Sequence, residues 1–374
     1  MTAAPGDRIS DVAGVAVGHA HRRDDDVVVA TLTEPGSGWA TGTTVVVVPA
    51  GSTTAVDVRG GGPGTRETDL LEPGNSVRGA NAIVLTGGSA YGLAAADGVM
   101  LGLEADGVGL PMDLQGHVVP IVSGAVIFDL PVGRWENRPD AGFGARALAS
   151  ADADFAVGSV GAGTGARAGA LKGGVGTASV TLTDGPARGL TVGAVVVANP
   201  VGQVIDPSTG LPWGGDDAAH HGLTEPAASE VASLAELSAK GTVLNTTIGV
   251  VATDAALSVS ALRRLAMSGH DGLARAIRPA HSPLDGDTLF AVATGGRDVD
   301  PENAVPIPPG MEPETAVVAA LCEASATAVQ RAIVNAVVNA TSVASIPAYR
   351  DVVPSAFRTM SSGSPSGSSS GVET

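Results

Sequence analysis

The chain has 374 residues, with 38 acidic against 21 basic side chains and a formal charge of -17. An acidic surface repels phosphate backbones, and without a basic run or paired-cysteine finger no nucleic-acid partner is expected. Hydrophobic residues make up 44% and aromatics only 3%, which fits a layered core of small aliphatics rather than a disordered chain. No span reaches about 18 consecutive apolar residues, so no membrane partner is expected. Cys322 stands alone, which rules out an internal disulfide and reads as a small buried apolar residue. The opening MTAAPGDRIS lacks a basic-then-apolar targeting pattern, so the expected location is cytoplasmic.

Short valine-rich runs separated by glycine turns dominate the first half. Residues 43–49 and 81–85 predict strands, 118–130 one or two more, and 155–160 another. Residues 89–105 predict a helix, centred on Ala94, Ala95 and Ala96. It follows Thr86-Gly87-Gly88, either a plain strand-to-helix connection or a pocket wall of backbone N–H groups that would include Gly88, Ser89 and Tyr91. Thr191–Ala198 predicts a buried strand ending at Asn199.

Residues 203–240 change character. Prolines, DPSTGLPWGGDD, the pair His220–His221 and a weak helical pattern over 227–237 read as a surface excursion. The two histidines lack a partner at ligand spacing and read as a solvated pair rather than metal ligands. Residues 246–253 predict another buried strand. Asp254 is the expected cap of a helix starting near Ala255, with Leu257, Ala261, Leu262 and Leu265 as its apolar stripe. A strand over 289–293 and a long helix over 313–340 follow. From Met360 the chain is serine- and glycine-rich, so residues 1–359 are taken as a single folded domain and 360–374 as a flexible tail.

The segment with most chemical content is Asn245-Thr246-Thr247. A threonine at the start of a strand is usually structural. If the bond before Thr246 is broken, however, its α-amine, with a reference pKa of about 8, can take the proton of its own hydroxyl. The freed oxygen then attacks an amide carbonyl, and in the intact chain the same oxygen can attack the Asn245 carbonyl. Thr247 competes for the role, but strand alternation turns it to the opposite face.

Five segments together carry a family resemblance: LTGGSAYGLAAADG (85–98), GAGTGARAGALKGGVGTAS (161–179), VVVANPVG (195–202), NTTIGVVATDA (245–255) and DGDTLFAVATG (285–295). They resemble the L-aminopeptidase/D-esterases, β-aminopeptidyl peptidases and nylon-oligomer hydrolases. The combination of Asn before Thr, a lysine in the glycine-rich segment and Asp-Gly-Asp downstream looks closest to the nylon-oligomer hydrolase branch. The resemblance implies an α+β fold with an αββα body of the N-terminal-nucleophile type. It also implies amide or peptide hydrolysis of small substrates without a cofactor, autocleavage between Asn245 and Thr246, and homo-oligomers of the paired fragments 1–245 and 246–374. The alternative is a processed or unprocessed oligomeric binding protein without hydrolytic activity.

Further site candidates follow from matching segments. Lys172 can orient Thr246 or stabilise an oxyanion, or be a surface lysine in a turn. Asn199 can donate to an oxyanion or form an Asx turn before Pro200. Asp285 and Asp287 can hold the Thr246 amine or pair with Lys172, or form a solvated acidic turn. Phe128 stands where relatives can place a tyrosine; it cannot donate a hydrogen bond, and its simpler role is core packing.

Overall fold

A computed structural model describes residues 1–237, 245–298, 303 and 305–357. The tail over 360–374, and with it the 1–359 boundary, lies outside the described residues.

Two sheets carry the fold. The first places its strands in the order Thr2–Ala3, Gly174–Thr181, Thr191–Ala198, Ile248–Ala255, Thr288–Arg297 and Thr53–Val58. Ile248–Ala255 and Thr288–Arg297 run parallel. The other neighbours run antiparallel. The second sheet orders Ala16–Arg23, Ala40–Val47, Ala82–Thr86, Val122–Val126 and Thr65–Arg66.

Side-chain alternation fixes the layers. Along Thr191–Ala198, Val192, Ala194, Val196 and Ala198 join the core shared with the helices Val259–Ala276 and Thr315–Val338. Val195 and Val197 turn the other way and meet Val46, Ile83 and Leu85 of the second sheet. That sheet's opposite face, with Val45, Ala82 and Val84, packs on the helices Ala95–Ala105 and Ala141–Ala149. The chain is thus layered helices, sheet, sheet, helices. Strands covered on both faces need no polar alternation, which is why TVGAVVVA is apolar throughout.

The long helix Thr315–Val338 satisfies membrane-span length and hydropathy, yet half of its most apolar window is buried within the fold. It lies close against Val259–Ala276: a Cβ on Gly272 would stand 2.0 Å from the Ala326 carbonyl oxygen.

Several local expectations need correction. Residues 155–160 form no strand; Gly158, at φ 87°, makes an isolated bridge to Val175 instead. The helix expected over 89–105 is split into Ser89–Gly92 and Ala95–Ala105. Asp254 caps nothing. The strand continues to Ala255, and the Asp254 carboxylate accepts the Thr191 N–H at 2.9 Å. Ser258 caps the helix, accepting from Ala261 N. The excursion after residue 203 holds the short helices Gly215–His220 and Ala228–Glu236 and buries Val204, Ile205 and Leu234, so it is partly built into the core. Its last residues, 238–240, lie outside the described residues. His220 is not solvated: its Nε2 meets Asp7 at 2.8 Å, and its ring packs edge-on against His221.

Candidate active site

Asn245 and Thr246 enter the core together, each 5% exposed. The regular strand begins at Ile248, so Thr246 stands just before it, in the same parallel register with the segment that leads into Thr288–Arg297. Backbone contacts hold the pair. Asn245 bridges Asp285 in parallel and donates its N–H to the Leu284 carbonyl at 3.2 Å. Thr246 N donates to the Asn199 carbonyl at 2.8 Å.

The Thr246 hydroxyl is positioned against its own preceding peptide. It donates to the Asn245 carbonyl oxygen, and accepts the Gly286 N–H at 3.2 Å. Gly286 is required by contact: a Cβ there would stand 2.9 Å from Thr246 Oγ1 and 2.7 Å from the Gly62 carbonyl oxygen.

Asp285 and Asp287 flank this glycine, both about 1% exposed. They do not form a solvated turn. Asp287 accepts from Thr247 N at 2.8 Å, and its other oxygen takes the backbone N–H of His281 at 3.2 Å and meets His281 Nδ1 at 2.8 Å. Asp285 accepts from Val201 N, Ser282 N and Ser282 Oγ. Burial nevertheless raises the Asp285 carboxyl above the ordinary carboxylate range, and the charge of Asp287 adds to this.

Asn199 is buried and makes three hydrogen bonds. Its carbonyl holds Thr246 N, its Oδ1 accepts from Arg167 N at 2.8 Å, and its Nδ2 donates to the Phe128 carbonyl at 3.4 Å. A primary amide has a second N–H to offer.

Lys172 is no surface lysine. It is fully buried, and its ammonium donates to the carbonyls of Gly163 and Gly173 at 2.7 and 2.9 Å. Desolvation pulls its pKa down to about 7, against the pull of Asp129. Asp129 is itself buried and raised to about 6 by desolvation, although Gly88 N and Thr41 Oγ1 both donate to it. The carboxylate facing Lys172 is therefore Asp129 rather than Asp285 or Asp287.

Phe128 is not in the core. It is half-buried, lies edge-on to Trp135, and lines a cavity of about 1450 Å³. Arg167 lines the same cavity. Of the expected pocket residues, Gly88 is tied to Asp129, while Tyr91 is 56% exposed with Arg138 stacked over its ring. Neither they nor Ser89 line the cavity.

Two residues went unread in the sequence, Asp129 and His281. Asp129 had a signal, a lone acid within the apolar run VIFDL. His281 had none, because it reaches Asp287 through an irregular loop.

The sequence pattern of peptidase family S58 matches residues 7–349. The chain belongs to peptidase family S58. An uncharacterised aminopeptidase of Mycobacterium bovis is 57% identical over 353 residues, covering 93% of this chain and 98% of the relative. A 6-aminohexanoate-oligomer endohydrolase of Kocuria sp. is 34% identical, covering 77% and 75%. Among solved structures, the β-aminopeptidase of Burkholderia sp. superposes with a TM-score of 0.67 at 25% identity over 96% of both chains. The L-aminopeptidase D-Ala-esterase/amidase of Ochrobactrum anthropi, described as a variant of the Ntn hydrolase fold, gives 0.67 at 21% identity over 94% and 91%. As an S58 member the chain is a peptidase or amide hydrolase acting on small peptide or amide substrates.

Proposed function

We propose that this S58 enzyme is an N-terminal-threonine amide hydrolase, activated by cleavage of its own Asn245–Thr246 bond, with an αββα body of the N-terminal-nucleophile type. The observation that carries the reading is the placement of the Thr246 hydroxyl against the Asn245 carbonyl, with Gly286 N–H at its oxygen.

Processing and turnover are then one chemistry. Thr246 Oγ attacks the Asn245 carbonyl carbon, the C–N bond breaks, and the hydroxyl proton ends on the Thr246 nitrogen. Water opens the resulting ester and leaves the Asn245 carboxylate, the Thr246 hydroxyl and a free α-amine. That amine, with a reference pKa of about 8, serves as base for the same hydroxyl toward a substrate amide. The acyl group passes to Thr246, the substrate amine leaves, and water releases the acid.

Asn199 supports both stages. Its carbonyl holds the Thr246 nitrogen, and its remaining amide N–H is available to an oxyanion. Asp287, held by His281 and Thr247 N, orients the loop that carries Gly286, and Asp285 supports the strand entry at Asn245. Lys172, with a pKa near neutrality, supplies a charge adjustable at working pH. Peptide or ω-amino-acid amide bonds are the proposed substrates, by likeness to the 6-aminohexanoate-oligomer endohydrolase and the β-aminopeptidase. The reading includes homo-oligomers of cleaved chains in the cytoplasm, which sizing and cell fractionation check.

Thr246→Ala tests the proposal. The variant is expected to stay in one piece and hydrolyse nothing, whereas Thr246→Ser retains a hydroxyl and still cuts. Cleavage at the same bond in Thr246→Ala, read by intact mass, would contradict it.

A further inference from the structure

The cavity wall holds Phe128 and Arg167, both hydrogen-bonded to Asn199, and among the described residues the arginine forms no ion pair. Arg167 and Lys172 are register partners in the small hairpin of Arg167–Ala168 and Leu171–Lys172. Lys172 is buried, while Arg167 lies on the cavity wall. Its backbone N–H is fixed by Asn199 Oδ1 at 2.8 Å, and Asn199 in turn holds Thr246 N, so Arg167 stands one residue removed from the nucleophile.

The guanidinium is fixed as well. Nε donates to the Gly169 carbonyl at 2.8 Å, and among the described residues Arg167 forms no ion pair. Partial burial depresses its pKa below the ordinary arginine value, with desolvation the sole cause. The cavity's other cation, Arg134, is already paired with Glu136 at 3.0 Å. A held guanidinium that spends only Nε on the protein keeps its two terminal nitrogens for a ligand. That fork matches the two oxygens of a carboxylate.

We propose that Arg167 binds a carboxylate on the substrate, making the enzyme selective for short amides that carry a free carboxyl group on the departing half. In an unbranched peptide or ω-amino-acid oligomer, the free carboxylate lies at that end. A multiply charged anion such as phosphate fits less well than a single carboxylate, because Glu34 and Glu236 line the same cavity and their repulsion grows with the charge of the ligand. The inference rests on Thr246 as the nucleophile.

The test compares matched substrates: an ω-amino-acid dimer and a dipeptide, each as free acid and as carboxamide. They are given to the parent chain, Arg167→Ala and Arg167→Lys. The parent is expected to favour the free acids in kcat/KM by roughly tenfold to a hundredfold, the range of a charge-assisted hydrogen bond. Arg167→Ala should lose that preference through KM, leaving carboxamide turnover largely unchanged, and Arg167→Lys should restore part of it. Cleavage at Asn245–Thr246 in each variant, read by intact mass, reports that the site has formed; Arg167→Gln replaces any variant that remains uncut. A cut parent that treats acid and carboxamide alike, or hydrolyses neither, overturns the inference, as does a cut Arg167→Ala that keeps the preference. A parent that is both uncut and inactive means instead that the Thr246 reading fails.

Discussion

Lys172 makes the sharpest residue-scale prediction, because burial holds its folded pKa at about 7, well below the ordinary lysine value of 10.5. Below pH 7 the folded chain bears the full cost of a buried charge. Between pH 7 and the unfolded value the unfolded state binds more protons, so stability rises with pH. Thermal melts of the parent against Lys172→Met should therefore show the parent gaining by up to about 1.4 kcal/mol per pH unit from pH 7 to 9. A difference that stays flat over that window would mean that Lys172 is not desolvated as described. Gly286 makes a second prediction. Alanine there puts a carbon within contact of Thr246 Oγ1 and displaces the hydroxyl from the Asn245 carbonyl. Displacement by about an ångström can cost roughly a hundredfold in rate, so Gly286→Ala is expected to slow self-cleavage by that order in a mass time course.

At the scale of elements, the valine runs were legible because a strand covered on both faces must be apolar along its whole length. Thr191–Ala198 appears with the bounds expected from sequence. Residues 155–160 were misread because their composition suits a strand, but Gly158 adopts a positive φ that ends pairing after a single bridge. The Asp254 cap failed for a related reason. Parallel pairing with Thr288–Arg297 carries the strand past Thr253, and the carboxylate is spent on Thr191 N. Ser258 does the capping, so Ser258→Ala should cost about 1 kcal/mol in chemical denaturation and leave self-cleavage unchanged. The same substitution at Asp254 removes no helix cap. Asn245, Thr246, Asn199, Asp285 and Asp287 could be picked out by motif, and the fold gathers them. His281 could not, since it reaches Asp287 through a loop, and Asp129 showed only as a lone acid in an apolar run, its partners Thr41 and Gly88 being distant in sequence. Phe128 was read as core because its sequence neighbours are apolar, although the chain turns it toward the cavity.

For the molecule as a whole, both proposed fragments contribute to the same sheet. Thr191–Ala198 comes from the first and Ile248–Ala255 from the second, paired antiparallel along their length. The core on the helix side likewise mixes Val192 and Val196 with Val251, Leu262 and Ile333. Burial of that many aliphatic side chains holds the pieces together after the bond is cut, so they should co-elute in native sizing and separate only in denaturant. The most direct measurement is the intact mass of purified, active enzyme, followed as activity appears. The expected result is two species, 1–245 and 246–374, with activity rising in step with the fragment that begins at Thr246. Full amide-hydrolase activity from a population still uncut before residue 246 would contradict it.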